Sequence, residues 1–306
     1  MNLRPLAALA MLAVLSIAPA LAAEAGAERL LLDRLRAGIE SRVARCDGIV
    51  GLYVEDLATG ETIAIEPDRQ FPVASVIKVP ILWDLFARAD EGRVDLRARL
   101  RLPELRVGGG GTLEHLSPEA ELSLRDLALF MVTESDNDAT NALIDHLGID
   151  GVNARLDALG LPRTRLRRRM MDLDAARAGR ENVSTPREMA ALMKRLHSGL
   201  GLSARSAGEV RALLGYWPRV ALGEREPFLE KLPAGAPVLE KPGVLDGVRT
   251  VAALVRLPKR PFVVTIFTTA LAHDADGEDL IADLAAELYS TFDRLGRMSE
   301  AGRVID

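Results

Sequence analysis

The sequence predicts an α+β fold: an antiparallel five-stranded sheet assembled from both chain ends, terminal helices packed on it, and an inserted all-helical lobe. Three observations lead there. β-rich runs concentrate near the two ends of the chain, an amphipathic helical pattern flanks each set, and the long interval between them is mostly helical.

The elements follow in order. Leu30, Leu31, Leu35, Ile39 and Val43 recur at helical spacing and mark an opening helix. Ile49 to Glu55 and Thr62 to Ile65 are short β-rich runs flanking Thr59-Gly60, the pattern of a hairpin. From about Val73 to Leu232 helical periodicity dominates, interrupted at Gly108 to Gly111, Gly179 to Pro186 and Gly199 to Gly201. Val238 to Lys241, Val248 to Leu257 and Phe262 to Thr269 read as three further strands, and Leu280 to Leu295 as a closing amphipathic helix. An α/β lobe is therefore expected at about residues 28–72 and 233–298, with a helical lobe at about 73–232. A small-molecule site is expected in the cleft between them.

Composition narrows the function classes. With 306 residues, 48% hydrophobic and 27% charged, the chain is too apolar to be disordered. Thirty-nine basic against 44 acidic residues, a net charge of −5, argue against a phosphate-backbone binder, so no nucleic-acid partner is expected. Arg4, the apolar run Leu6 to Ala18, Pro19 and the small triplet Ala20-Leu21-Ala22 read as a signal peptide over residues 1–22, cleaved near Ala22. That run falls short of the ~20 residues a spanning helix needs, so no stable membrane anchor is expected and the mature chain is read as exported, periplasmic or secreted. Cys46 is the single cysteine, which leaves no intramolecular disulfide, and His115, His146, His197 and His273 show no metal-ligand spacing. Neither a metal nor an organic cofactor is expected.

Three short constellations carry chemistry. In Phe71-Pro72-Val73-Ala74-Ser75-Val76-Ile77-Lys78, Ser75 opens a helix and Lys78 stands one turn on, on the same face. A serine hydroxyl needs a neighbour to accept its proton, and an amine desolvated in a cleft can do so, while a helix N-terminus offers N–H groups to an oxyanion. By itself the spacing fits equally a helix start followed by a solvated lysine. Ser135-Asp136-Asn137 precedes a helical stretch and reads either as an N-cap or as a proton relay at Ser135 with a substrate-holding amide at Asn137. Lys241-Pro242-Gly243 reads as a turn, or as an edge strand where Gly243 permits close backbone approach and Lys241 fixes a cation at the cleft.

In this order, 60 residues apart and then 106, the three motifs resemble the active-site set of class A β-lactamases and penicillin-binding proteins, along essentially the whole mature chain. The resemblance implies a β-lactamase/transpeptidase-like fold and a set of roles. Ser75 corresponds to the acylated nucleophile, Lys78 to its base or proton relay, and Ser135 to the donor that protonates the leaving nitrogen. Asn137 corresponds to a substrate-positioning amide and Lys241 to a cation near the substrate carboxylate. The backbone N–H groups of Val244 and Ser75 correspond to an oxyanion hole, and Arg249 to the strand arginine that pairs with that carboxylate.

Two positions depart from the pattern. Pro242 replaces the usual Thr or Ser of the third motif, removing one hydroxyl. Ahead of Ser184-Thr185-Pro186, where the family carries a Glu that activates the deacylating water, Met170 stands in the Glu position, leaving Asp172 and Asp174 as the nearest candidate bases. The expected function is an exported serine hydrolase of class A β-lactamase type, a monomer acting on a small-molecule β-lactam. The alternatives are a D,D-peptidase or other serine acyl hydrolase on cell-wall peptides, or a protein that binds a β-lactam or muropeptide without turnover. The five arginines between Arg163 and Arg169 read as solvated or internally paired rather than as a subunit contact.

Overall fold

A computed structural model describes residues 26–102, 106–117, 119–215, 226–299 and 302–305. The expected signal peptide, residues 1–22, lies outside them. Helix α1 covers residues 26–43. It leads into strands β1 (Ile49–Asp56) and β2 (Thr62–Ile65), and a short strand β3 (Phe71–Pro72) runs into a 3₁₀ turn (Ala74–Ile77). Helix α2 (Lys78–Asp90), strands β4 (Arg99–Arg101) and β5 (Glu121–Ser123), and helices α3 (Leu124–Thr133), α4 (Asn137–Leu147) and α5 (Ile149–Ala158) follow. Helix α6 (Leu173–Arg177), strand β6 (Val183–Ser184) and helices α7 (Pro186–Ser198), α8 (Ala204–Leu214) and α9 (Pro227–Glu230) complete the middle of the chain. Strands β7 (Val238–Leu245), β8 (Val248–Val255) and β9 (Phe262–Thr269) then return to the sheet, and α10 (Asp274–Arg297) closes.

The five-stranded sheet has the order β2-β1-β9-β8-β7 and every pairing in it is antiparallel. This is the predicted α+β architecture. Side-chain alternation sends the two faces of each strand into different cores. Val50, Leu52 and Val54 of β1, with Val264 and Ile266 of β9, meet Leu35 and Ile39 of α1 and Leu284, Leu288 and Phe292 of α10. On the opposite face Tyr53, Ala252, Leu254, Val263 and Phe267 join the core of the helical block. Strand β8 is buried at all eight positions because both faces are covered. Phe71 lies over Gly51, where a Cβ would fall 2.4 Å from its ring, and meets Phe267 edge to face at 6.1 Å.

The block between the strands adds to the expected helices two short ribbons, β4 with β5 and β3 with β6. At two or three residues each, they leave no periodicity to read. Helix α7 carries three end signals that fix it under the sheet: Thr185 caps it by accepting from the Glu188 N–H, Pro186 sits at its first position, and Gly199 ends it at φ 72°. Thr265 Oγ1 of β9 donates to the Pro186 carbonyl at 2.8 Å and pins that start to the sheet. Helix α2 is buried from Lys78 to Ala87, so it forms the axis of the block.

Charge inside this block is paired. Buried Asp84 of α2 lies 2.7 Å from Arg88 and 3.0 Å from Arg155 of α5, and Arg155 reaches Glu91 at the end of α2 at 2.8 Å. Hydrogen bonds from Arg155 and then Arg93 pull the Glu91 carboxyl down from 4.5 to about 2. A depressed carboxyl contributes stability above its unfolded pKa and loses it as pH falls through the folded value. Glu91→Gln is therefore expected to lower the urea midpoint at neutral pH, with the difference from wild type fading between pH 4.5 and about 2. A difference that stays constant over that range would show that this pair carries none of the acid sensitivity.

Candidate active site

Three chain segments converge on one cavity of about 470 Å³. The first is the 3₁₀ turn after β3. Ala74 is held at φ 46°, and the Lys78 N–H donates to the Ser75 carbonyl, so Ser75 stands on a tight turn and Lys78 opens α2. This differs from the expected position of Ser75 on the first turn of an α-helix. The narrower turn has the same consequence, bringing Ser75 to the cavity wall with Lys78 buried behind it.

The second segment joins α3 to α4. Ser135 adopts φ 55°, and Asp136 is the N-cap of α4, its carboxylate accepting from the N–H groups of Ala139 and Leu113, each at 2.8 Å. Burial pushes the Asp136 carboxyl up, against these N–H bonds, which pull it down. The cap reading of this motif thus falls on Asp136. Asp136 turns inward to start the helix, and its neighbours turn toward Lys78.

Lys78 Nζ donates to Ser135 Oγ at 3.1 Å, to Asn137 Oδ1 at 3.1 Å and, through a short bond, to the Ser135 carbonyl. Three N–H donors thus meet three oxygens, which is what a fully buried ammonium requires. The Asn137 amide is oriented by its partners, since Nδ2 donates to the carbonyls of Gly108 at 3.2 Å and Gly109 at 2.9 Å.

The third segment is β7, an edge strand, as Pro242 requires. Lys241 Nζ donates to Ser135 Oγ at 3.0 Å and to the Pro242 carbonyl at 3.0 Å. Ser135 Oγ therefore accepts from two lysines, and its own proton is left to point elsewhere. Gly243 brings β7 against the turn: a Cβ there would lie 2.5 Å from Thr250 Oγ1, 2.7 Å from the Val73 carbonyl and 2.9 Å from Ala74 Cβ. Thr250 Oγ1 donates to that Val73 carbonyl at 3.1 Å. Val244, 61% exposed, continues the wall beyond it.

Six of the residues singled out from the sequence, Ser75, Ser135, Asn137, Lys241, Gly243 and Val244, line this cavity, and Lys78 lies beneath it. Three others do not, and these expectations are corrected. Arg249 is committed inside the protein: Nε donates to Glu278 at 2.9 Å, the guanidinium lies 3.1 Å from Asp274, and Nη1 donates to the carbonyls of Leu245 and Val248 at 3.0 Å. Asp172 caps α6 by accepting from the Ala175 N–H, and Asp174, 89% exposed, pairs with Arg177. Both carboxylates serve this short helix at the surface.

Met170, by contrast, lies on the cavity wall. Asn141 accepts from the Met170 N–H at 2.8 Å and donates to its carbonyl at 3.2 Å, locking the main chain so that the thioether lines the cavity. The sequence reading passed over Asn141, although its spacing of four from Asn137 puts both amides on one face of α4. It also passed over Arg168, which is buried, lines the wall and donates through Nε and Nη2 to Glu181 at 3.1 and 2.9 Å. Within the arginine run, Arg165 pairs with Asp157 and Arg169 with Asp145, so at three positions the charges are answered internally.

Residues 34–292 match the model of the Beta-lactamase enzyme family. A β-lactamase of Streptomyces lavendulae is 31% identical over 270 residues, covering 85% of this chain and 86% of its own length. Among solved structures, a Leu-to-Glu variant of PBP-A in an acyl-enzyme complex with penicillin G superposes with a TM-score of 0.77 at 30% identity over 86% of this chain and 97% of its own. A β-lactamase from Sphaerobacter thermophilus superposes with a TM-score of 0.75 at 30% identity, over 84% and 96%.

The close approach at Gly243 is directly testable. Gly243→Ala is expected to lower stability by about 1–3 kcal/mol, because the backbone of the turn and the Thr250 hydroxyl leave no room for a methyl group. An unchanged urea midpoint would show that β7 can withdraw from the turn without cost.

Proposed function

Because the chain belongs to the class A β-lactamase family, we propose that it is an exported serine hydrolase that opens β-lactam amide bonds through an acyl-enzyme on Ser75. The observation that carries this reading is the hydrogen-bonded set of Lys78, Ser135, Asn137 and Lys241 around the cavity that Ser75 lines.

In the proposed sequence Ser75 Oγ attacks the lactam carbonyl while its proton passes to the Lys78 amine. The base in this step is the neutral amine of Lys78, and the ammonium it becomes is the form whose three donors meet the oxygens of Ser135 and Asn137. The oxyanion is held by the backbone N–H groups of Ser75 and Val244. As the carbon–nitrogen bond breaks, Ser135 gives its proton to the leaving nitrogen and takes one from Lys78 in return. The geometry suits this handover, because Ser135 Oγ accepts from both lysines and its own hydrogen is directed elsewhere. With Arg249 engaged by Glu278 and Asp274, recognition of a substrate carboxylate rests on Lys241.

Deacylation requires a base that activates water. The thioether of Met170 lines the cavity where a base would be needed, and a general base typically contributes about 10²–10⁴-fold. That observation favours a second reading, in which the acyl-enzyme is long-lived and the protein works as a D,D-peptidase on cell-wall peptides or as a slow-turnover binder of β-lactams. The acyl-enzyme complex of the PBP-A variant supports acylation under either reading.

An intact-mass time course with benzylpenicillin separates the readings. The wild type is expected to accumulate one adduct on Ser75, absent in Ser75→Ala, and Lys78→Met is expected to slow acylation by about 10³-fold or more. Labelling retained in Ser75→Ala would sink the nucleophile assignment. Met170→Glu is expected to shorten the adduct lifetime by about 10²-fold or more. Steady wild-type turnover with no accumulated adduct would instead show that another group activates water. For the export reading, the mature protein recovered outside the cytoplasm is expected to begin at Ala23, and an intact Met1 there would refute cleavage.

A further inference from the structure

Two loops face each other across the mouth of the cavity. One carries Gly108, Gly109, Gly110 and Gly111, with φ of 61°, 75°, 125° and 107°, so its wall is backbone alone. The other carries Met171, itself at φ 60°, a conformation that is unfavourable for a residue with a Cβ. The Met171 side chain reaches across the gap. A Cβ built on Gly109 would lie 2.8 Å from both its Sδ and its Cε, and 3.4 Å from Asn137 Nδ2. The thioether therefore rests on the peptide whose carbonyl accepts from Asn137, the amide that also holds Lys78.

The two neighbouring methionines differ in how they are held. Met170 is buried and its main chain is bonded on both sides by Asn141. Met171 is 41% exposed and meets Gly109 through a flexible thioether that can change rotamer at low cost. Leu173 at 54% exposure and Val244 at 61% also line this cavity, and together the three make its mouth apolar.

We propose that Met171 is a specificity-determining latch, closing the cavity mouth onto Gly109 and admitting slim apolar acyl substituents in preference to bulky ones. A substrate whose carbonyl lies at Ser75 and whose acyl substituent runs toward Asn137 and Gly109 meets the Met171 thioether there, because the thioether already lies against Gly109. A slender, flexible substituent passes beside the thioether along the bare glycine backbone. A rigid substituent branched next to the carbonyl must displace it. The inference rests on the acyl-transfer reading of Ser75 and adds to it the shape and polarity of the substrate.

The test compares acylation rates of the mature protein, read by intact mass, for benzylpenicillin and for a penicillin bearing a 2,6-dimethoxybenzoyl group. Wild type is expected to favour benzylpenicillin. In Met171→Ala the ratio of the two rates is expected to move about 10-fold or more toward the bulky substrate, a change typical of a few methylene-sized groups in a pocket. Met171→Leu, close in volume, is expected to restore the wild-type ratio. In the free protein, labelled with ¹³C at the methionine methyls, a nuclear Overhauser effect is expected between the Met171 methyl and the Gly109 α-protons. Absence of that effect overturns the latch whatever the rates, and so does a Met171→Ala variant that changes both rates by one factor. If the contact is present but neither penicillin labels Ser75 in the wild type, the acyl-transfer reading fails and the size screen falls with it.

Discussion

Two lysine ammonium groups share the hydroxyl of Ser135, and the rest of the site is arranged so that this can be true in the interior. Lys78 and Lys241 are almost wholly enclosed by protein. Burying a cation costs several kcal/mol unless oxygens replace its water. The replacement comes from three separate places: the turn before α4, the Asn137 amide and the carbonyl of Pro242. Ser135 is driven to φ 55° to present both its carbonyl and its hydroxyl, and Asn137 is held by the carbonyls of the glycine loop. The start of α2, the start of α4 and the edge strand β7 are thereby fixed relative to one another.

Close backbone approach does the remaining positioning. At Gly243 the edge strand lies so near the turn bearing Ser75 that the Val73 carbonyl and the Thr250 hydroxyl fill the place of a side chain. At Gly111 the same holds for the Asp136 carboxylate, 2.1 Å from where a Cβ would be, which lets that buried cap reach the Leu113 N–H. Such contacts yield little because the partners are backbone, a short side chain or a hydroxyl or carboxylate that is itself hydrogen-bonded. A site built on them keeps its geometry without support from a bound substrate.

Two further residues are fixed beside this framework. The arginine on β8 is neutralised by two carboxylates on α10, and a methionine occupies the locked position below Asn141. Arg249 is held by Glu278 and Asp274, and Met170 is fixed through its main chain by Asn141 with its side chain packed in the core of the helical block.

Much of this was legible in the chain. β-rich runs at Ile49 to Glu55, Val248 to Leu257 and Phe262 to Thr269, with helical stripes at both ends, marked the sheet and its covering helices, because β-branched and aromatic residues favour strands and helical periodicity reports which side must be buried. The Ser75, Lys78, Ser135 and Lys241 motifs marked the site, since each sits on a turn or strand whose local chemistry the sequence declares. Partnership was not legible. Whether Arg249 faces a substrate or Glu278, whether Asp172 faces the cavity or caps α6, and whether Met171 lies on Gly109 depend on residues far away in sequence or on a single backbone angle. A residue's type fixes what it can bond; only the tertiary structure decides which competing partner reaches it first.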